Sequence, residues 1–170
     1  MKNTAIIIPT RLSAKRFPNK PLIKIKGIPI IVHAVNRAKE SNVGKVLVAT
    51  PDNEIVDIVN RNGGEAVLTK RSHLSGSDRV YEAYISELKD NVDLIINLQG
   101  DMPNMNPKCI SKLEKFMRLK DCDIGTLGSL INDKQEIVDT NIVKVQVEKD
   151  LKDQDQNIIK TTSKPSNNSN

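Results

Sequence analysis

The chain has 170 residues, 38% of them apolar, with a mean hydropathy of −0.39 and a net charge of +5, which suits one soluble domain with its own core; no run approaches the roughly 18 apolar residues of a membrane span, and the first apolar run is too short for a secretory h-region, so a cytoplasmic protein is expected. The charge is lopsided: residues 1–39 hold nine of the 26 Lys and Arg and none of the 21 Asp and Glu. Nucleic acid is the first partner such a patch suggests, but a chain with no Trp, two Phe and two Tyr offers little to stack on a base, and no helix-turn-helix, finger or RNP pattern accompanies it, so a small, highly charged anion fits better.

In chain order, apolar runs bounded by turn residues predict strands at 4–8 (TAIII), 45–50 (KVLVAT), 65–69 (EAVLT), 93–98 (DLIINL), 123–131 (DIGTLGSLI) and 141–147 (NIVKVQV). The first four lack period-2 alternation, as strands buried on both faces do. Between them lie helical patterns. IPIIVHAVNRAKES puts Ile30, Ile31, Ala34, Val35 and Ala38 on one stripe, with Pro29 in the first turn. DNEIVDIVNRNGG starts on a capping-type Asp52 and Asn53 and stops at Gly63 and Gly64. SDRVYEAYISELK has Ser77 as its expected N-cap, and NPKCISKLEKFM has Asn106 as N-cap and Pro107 at N1. Strand and helix alternating every 20–30 residues predict βαβ crossovers and a mostly parallel, three-layer α/β sheet of Rossmann-like type. Residues 1–149 are expected to form one domain. Residues 150–170, with Leu151, Ile158 and Ile159 as their clear apolar residues, are expected to be a disordered polar tail.

Ligands on such sheets bind at the carboxyl ends of the strands, which gathers three loops on one rim. The loop after the first strand is neither a P-loop nor a dinucleotide fingerprint. It carries Arg11, Lys15, Arg16 and Lys20, spaced so that a folded-back loop could converge them on one anion, Arg by bidentate forks and Lys as a mobile point charge; a solvated basic loop is the plainer alternative. In RSHLSGSDR (71–79) the small residues Ser75, Gly76 and Ser77 allow a ligand to approach a helix N-terminus, although SGSD is equally an N-cap turn. In NLQGDMP (97–103) Gly100 frees the backbone and Pro103 fixes the exit, so Asp101 should face the same rim, either as a hard oxygen ligand for Mg²⁺ or as a turn residue bonding its own backbone. Cys109 and Cys122 form no C-x-x-C pair and have no His nearby in sequence, which leaves zinc and disulfide-framework readings without support. His33 reads as a core or helix-surface residue and His73 as a rim contact.

Taken together, IIIPTRLSAKRFPNKPLIKIKGIPIIVHAVNRA, VLVATPD, GGEAVLTKRSHLSGSDRVYEA, IINLQGDMP and NIVKV resemble, in order and spacing, the bacterial 3-deoxy-manno-octulosonate cytidylyltransferases (CMP-Kdo synthetases) over residues 4 to 148. The resemblance implies a nucleotidyltransferase fold, a homodimer, and Mg²⁺-dependent transfer of CMP from CTP to the 2-hydroxyl of Kdo for lipopolysaccharide synthesis, with pyrophosphate released. It further implies that Arg11, Arg16 and Lys20 take the triphosphate, that Thr10, Ser75, Gly76 and Gln99 line the cytidine pocket, and that Asp101 holds Mg²⁺. Four local departures stand out: Thr10-Arg11 for the usual Ala-Arg, Asn19 for the Gly of Pro-Gly-Lys-Pro, Met102 for the Glu of Gly-Asp-Glu-Pro, and Pro51-Asp52 for Asp-His. Residues 150–170 match none of the family's continuation, which carries dimerisation elements, much of the sugar site and a second metal-binding Asp. The chain is therefore expected to be truncated relative to the family and to keep its nucleotide half. A catalytically dead CTP- and Mg²⁺-binding remnant and a cytidylyltransferase with another acceptor are the alternatives.

Overall fold

A computed structural model describes residues 3–13, 17–119 and 122–145. Six strands and five helices follow in order: β1 (Thr4–Pro9), β2 (Lys24–Ile25), β3 (Ile28–Pro29), α1 (Ile30–Glu40), β4 (Lys45–Thr50), α2 (Asn53–Arg61), β5 (Ala66–Leu68), α3 (Gly76–Glu87), β6 (Leu94–Asn97), α4 (Pro107–Leu119) and α5 (Lys134–Val138), with a short 3-10 turn at Lys20–Leu22. The chain divides into two compact units, residues 1–122 and 123–170.

In the first unit four strands form one parallel sheet in the order β5-β4-β1-β6. All six residues of β1 are buried, because alternate side chains of a central strand enter two different cores. Ile6 and Ile8 pack with Ile31, Val32 and Val35 of α1, Ile55 and Val59 of α2, and Ile110 of α4. Ala5 and Ile7 point the other way, onto Val80 and Ala83 of α3. Helices thus cover both faces, giving the expected three-layer α/β arrangement. Every residue of the expected stripe on α1 is buried.

The order β5-β4-β1-β6 places β4 and β5, in turn, on one side of β1 and β6 on the other. On open α/β sheets such a reversal, here between β1 and β6, marks the crevice where ligands bind at the carboxyl ends of the strands.

The structure differs from expectation at four places. The N-cap of α3 is Ser75, two residues before the expected Ser77, and its hydroxyl accepts the Asp78 N–H while the Asp78 carboxylate accepts the Ser75 N–H. This reciprocal pair satisfies two otherwise open donors, which a cap at Ser77 would leave unmet. Residues 24–29 form a hairpin that was not expected, β2 and β3 being two residues each and too short for a periodic signal. In the second unit, residues 123–131 form no strand, and Ile124, Leu127 and Leu130 are exposed. An apolar run becomes a strand only where a ladder partner and a buried face exist, and Gly125 and Gly128 weaken its intrinsic preference. Residues 141–145 likewise form no strand; 146 and 147, and the proposed tail at 150–170, lie outside the described residues. The second unit's regular element is α5, where the Asp133 carboxylate caps the Gln135 N–H at 2.8 Å.

Candidate active site

The rim at the carboxyl end of the sheet is built from the segments that leave β1, β4, β5 and β6. Thr10 continues β1, its N–H donating to the Ala49 carbonyl at 3.0 Å, and Arg11 follows it into solvent. The first loop is then pinched at its base: Leu12 accepts a hydrogen bond from the Asn19 N–H at 3.0 Å, so the chain is back at residue 19 beside the point it left at residue 12. Asn19 has φ 58°, a left-handed conformation that Asn tolerates better than most residues and Gly adopts without cost. It delivers Lys20 to the rim.

Across the crevice, Gly100 lies where an added Cβ would meet Thr10 Cβ at 3.2 Å and the Pro9 carbonyl oxygen at 3.3 Å. A larger residue there would wedge the β6 loop away from β1. This approach lets Asp101 Oδ2 accept a hydrogen bond from Lys20 Nζ at 2.7 Å, both side chains being partly exposed. Gln99 is exposed beside them, its Nε2 donating to Asn97 Oδ1 at 3.4 Å. Gly76 opens α3, and a Cβ there would make ordinary contact with Pro9 at 3.5 Å, so the N-terminus of α3 stands over the end of β1. The Ser75 hydroxyl beside it also donates to Asp78 Oδ2 at 2.7 Å. Of the residues expected at the site, Thr10, Arg11, Lys20, Ser75, Gly76, Gln99 and Asp101 are therefore on one rim; Lys15 and Arg16 lie outside the described residues.

Two charged residues at this rim escaped the sequence reading. Asp52, 5% exposed, caps α2 by position but spends its carboxylate elsewhere: Oδ2 accepts the Leu12 N–H at 2.8 Å and Oδ1 accepts Arg71 Nη1 at 3.0 Å. Arg79, 3% exposed, donates Nη1 to Thr69 Oγ1 and to the Lys70 carbonyl at 3.1 Å. Burial, and then the Arg11 charge, hold its guanidinium below the usual arginine range, while Asp52 and Glu82 pull the other way. The signal for Arg79 was a charge one helical turn before Ala83, on the buried stripe. His73 contacts Glu82, which also accepts the Lys70 N–H at 2.9 Å. Burial raises the Glu82 carboxyl, but the hydrogen bonds from His73 and Lys70 outweigh it and leave its pKa below the ordinary value. Arg11, Lys20, Lys70, Arg71 and Arg79 face Asp52, Asp78, Glu82 and Asp101 at this rim, a nearly balanced set in which guanidinium groups stand ready to fork an oxyanion.

The cytidylyltransferase family model matches residues 5–170. The chain belongs to the cytidylyltransferase family. Among curated cytidylyltransferases, the 3-deoxy-manno-octulosonate cytidylyltransferase of Wigglesworthia glossinidia brevipalpis is 44% identical over 144 residues, 84% of this chain and 59% of that protein. The enzyme of the same name from Nitrobacter winogradskyi is 41% identical over 143 residues, 83% of this chain and 56% of that protein. The chain thus spans less than two thirds of the length of these relatives. Among solved structures, a CMP:2-keto-3-deoxy-manno-octonic acid synthetase complexed with CTP superimposes with a TM-score of 0.65 at 38% identity, over 69% of this chain and 48% of that one. A nucleotidyl transferase from Methanothermobacter, at 17% identity and a TM-score of 0.56, shares the fold. The family match runs on to residue 170, beyond the residue 148 at which the motif resemblance ends.

Proposed function

We propose that this cytidylyltransferase binds CTP with Mg²⁺ and transfers CMP to the 2-hydroxyl of Kdo, releasing pyrophosphate, as a cytoplasmic enzyme of lipopolysaccharide synthesis. The observation that carries the reading is the meeting of Lys20 and Asp101 across the crevice, 81 residues apart in sequence and 2.7 Å apart in space. A cation and a carboxylate side by side suit a triphosphate and its metal ion. Arg11, Arg16 and Lys20 would take the phosphates, and Thr10, Ser75, Gly76 and Gln99 would line the cytidine pocket. Asp101 offers a hard oxygen suited to Mg²⁺. Among the described residues no cluster of three carboxylate, His or Cys ligands accompanies it, so phosphate oxygens and water would complete the coordination. The ion would supply charge neutralisation at the phosphates. The protein's part is alignment and electrostatic stabilisation of the displaced pyrophosphate.

Calorimetry with CTP and Mg²⁺ tests the binding step, and pyrophosphate release from CTP plus Kdo tests the transfer. Absence of heat above the dilution control would overturn the nucleotide reading. Binding without release would favour a second reading, a CTP- and Mg²⁺-binding remnant, in which the residues assigned above would hold the nucleotide and its metal with no acceptor site beside them. Release with another sugar acid but not with Kdo would assign a different acceptor to the same fold.

A further inference from the structure

The first loop hangs from one residue. Leu12 gives its carbonyl to the Asn19 N–H and its own N–H to Asp52 Oδ2, so both of its backbone groups are committed at the point where the loop leaves and returns. Arg11 precedes this pinch and Lys20 directly follows it, so the position of Leu12 governs both cations. Asp52 is itself held on several sides: its N–H donates to Oγ1 of the fully buried Thr50 at 3.2 Å, its side chain is 7% exposed, and its second oxygen accepts from the otherwise exposed Arg71. The carboxylate thus joins the segments leaving β1, β4 and β5 at one atom group. A charge-assisted bond to a backbone N–H is short, strong and geometrically exacting. At 5% exposure the water that could replace it has little room.

We propose that Asp52 is a positioning residue for the anion loop: by holding the Leu12 amide it fixes where Arg11 and Lys20 meet the ligand, without touching the ligand itself. The inference rests on the reading that this rim binds a nucleoside triphosphate, and its test has an arm that does not. In the full chain, hydrogen exchange at the Leu12 amide, followed by NMR, should quicken by about tenfold or more in Asp52→Ala, as for loss of a buried hydrogen bond. It should stay near the wild-type rate in Asp52→Asn, whose side-chain carbonyl still accepts, and in Arg71→Ala. Calorimetry with CTP and Mg²⁺ should show Kd rising by about tenfold in Asp52→Ala and clearly less in Asp52→Asn.

A Leu12 amide equally protected in Asp52→Ala, a CTP affinity unchanged by that variant, or an Asp52→Asn as impaired as Asp52→Ala would each overturn the proposal. Should Asp52→Ala fail to fold, Asp52→Glu carries the same test. Its longer side chain keeps the charge but displaces the oxygen, so loss of Leu12 protection supports positioning and retention refutes it. A wild-type chain that binds no CTP would refute the nucleotide reading alone, because the exchange arm still decides what Asp52 does to the loop.

Discussion

Single residues mark where this fold has no slack. Gly44 precedes β4, and a Cβ there would sit 1.8 Å from the Thr4 carbonyl oxygen, well inside any contact distance. Gly44→Ala must therefore push β4 from β1, and a loss of about 2 to 4 kcal/mol is expected in urea unfolding. The proposed site residues should behave differently. Lys20 and Asp101 are paired but partly exposed, and such pairs contribute about 0 to 1 kcal/mol to folding. Asp101→Asn should consequently leave the thermal midpoint nearly unchanged while weakening Mg²⁺-dependent CTP binding. Arg11→Ala should weaken that binding by about 1 to 3 kcal/mol, the range for a lost charge-assisted contact. Calorimetry on the two variants, with unfolding curves beside it, separates function from stability; unchanged affinity in both would mean that the ligand sits elsewhere. That Arg11, Lys20 and Asp101 lie on the carboxyl-end rim was legible in sequence, because the loops that carry them leave apolar strands. Asp52 was not, because a polar residue before a helix is explained well enough as a cap, and its real partner, the Leu12 amide, is 40 residues away.

Elements were legible where their length let periodicity speak. The stripe on α1 and the unbroken apolar runs of β1 and β4 needed no tertiary information, since each spans six or more residues. The β2–β3 hairpin is the opposite case. Its two strands have two residues each, and its turn, Lys26 at φ 51° and Gly27 at φ 82°, has both central residues left-handed, the I′ geometry for which Asn-Gly is the strong signal and Lys-Gly a weak one. Lys26→Asn should stabilise the protein by about 0.5 to 1 kcal/mol by relieving that backbone preference, readable as a higher thermal midpoint. A lowered midpoint would mean that Lys26 makes a contact outweighing its strain. The hairpin is tied to α1 by a hydrogen bond between His33 Nε2 and the Ile25 carbonyl oxygen at 2.9 Å, which gives His33 the structural role expected of it. At 123–131 the same reasoning misled, because a short apolar run specifies burial only if something is there to bury it.

For the whole molecule, acid should be the destabilising direction. The hydrogen bond from Arg118 holds the Asp93 carboxyl below its ordinary 3.8, and the His73 and Lys70 bonds hold Glu82 below its ordinary 4.5 against the effect of burial. A carboxyl with a lowered folded-state pKa contributes its full stability above its unfolded value and loses it as pH falls through the folded value. Urea midpoints should therefore decline from about pH 5 downwards, and Asp93→Asn should flatten part of that decline; an equally steep decline in the variant would remove Asp93 from the account. The hydrogen bonds of Arg118 again join distant segments, its guanidinium reaching Asp93 at 2.8 Å and the Thr4 hydroxyl at 2.8 Å. By itself the sequence determined the identity and order of the main strands and helices of the first unit, the layered α/β class, and that a cation-bearing loop leaves the carboxyl end of β1, because these depend on side chains within one or two turns of each other. Only the tertiary structure decided that β6 pairs beside β1, that Lys20 meets Asp101, that Arg79 is buried and that Asp52 holds the loop by Leu12. Those contacts depend on which strands lie side by side, and strand order is not a property of any local stretch.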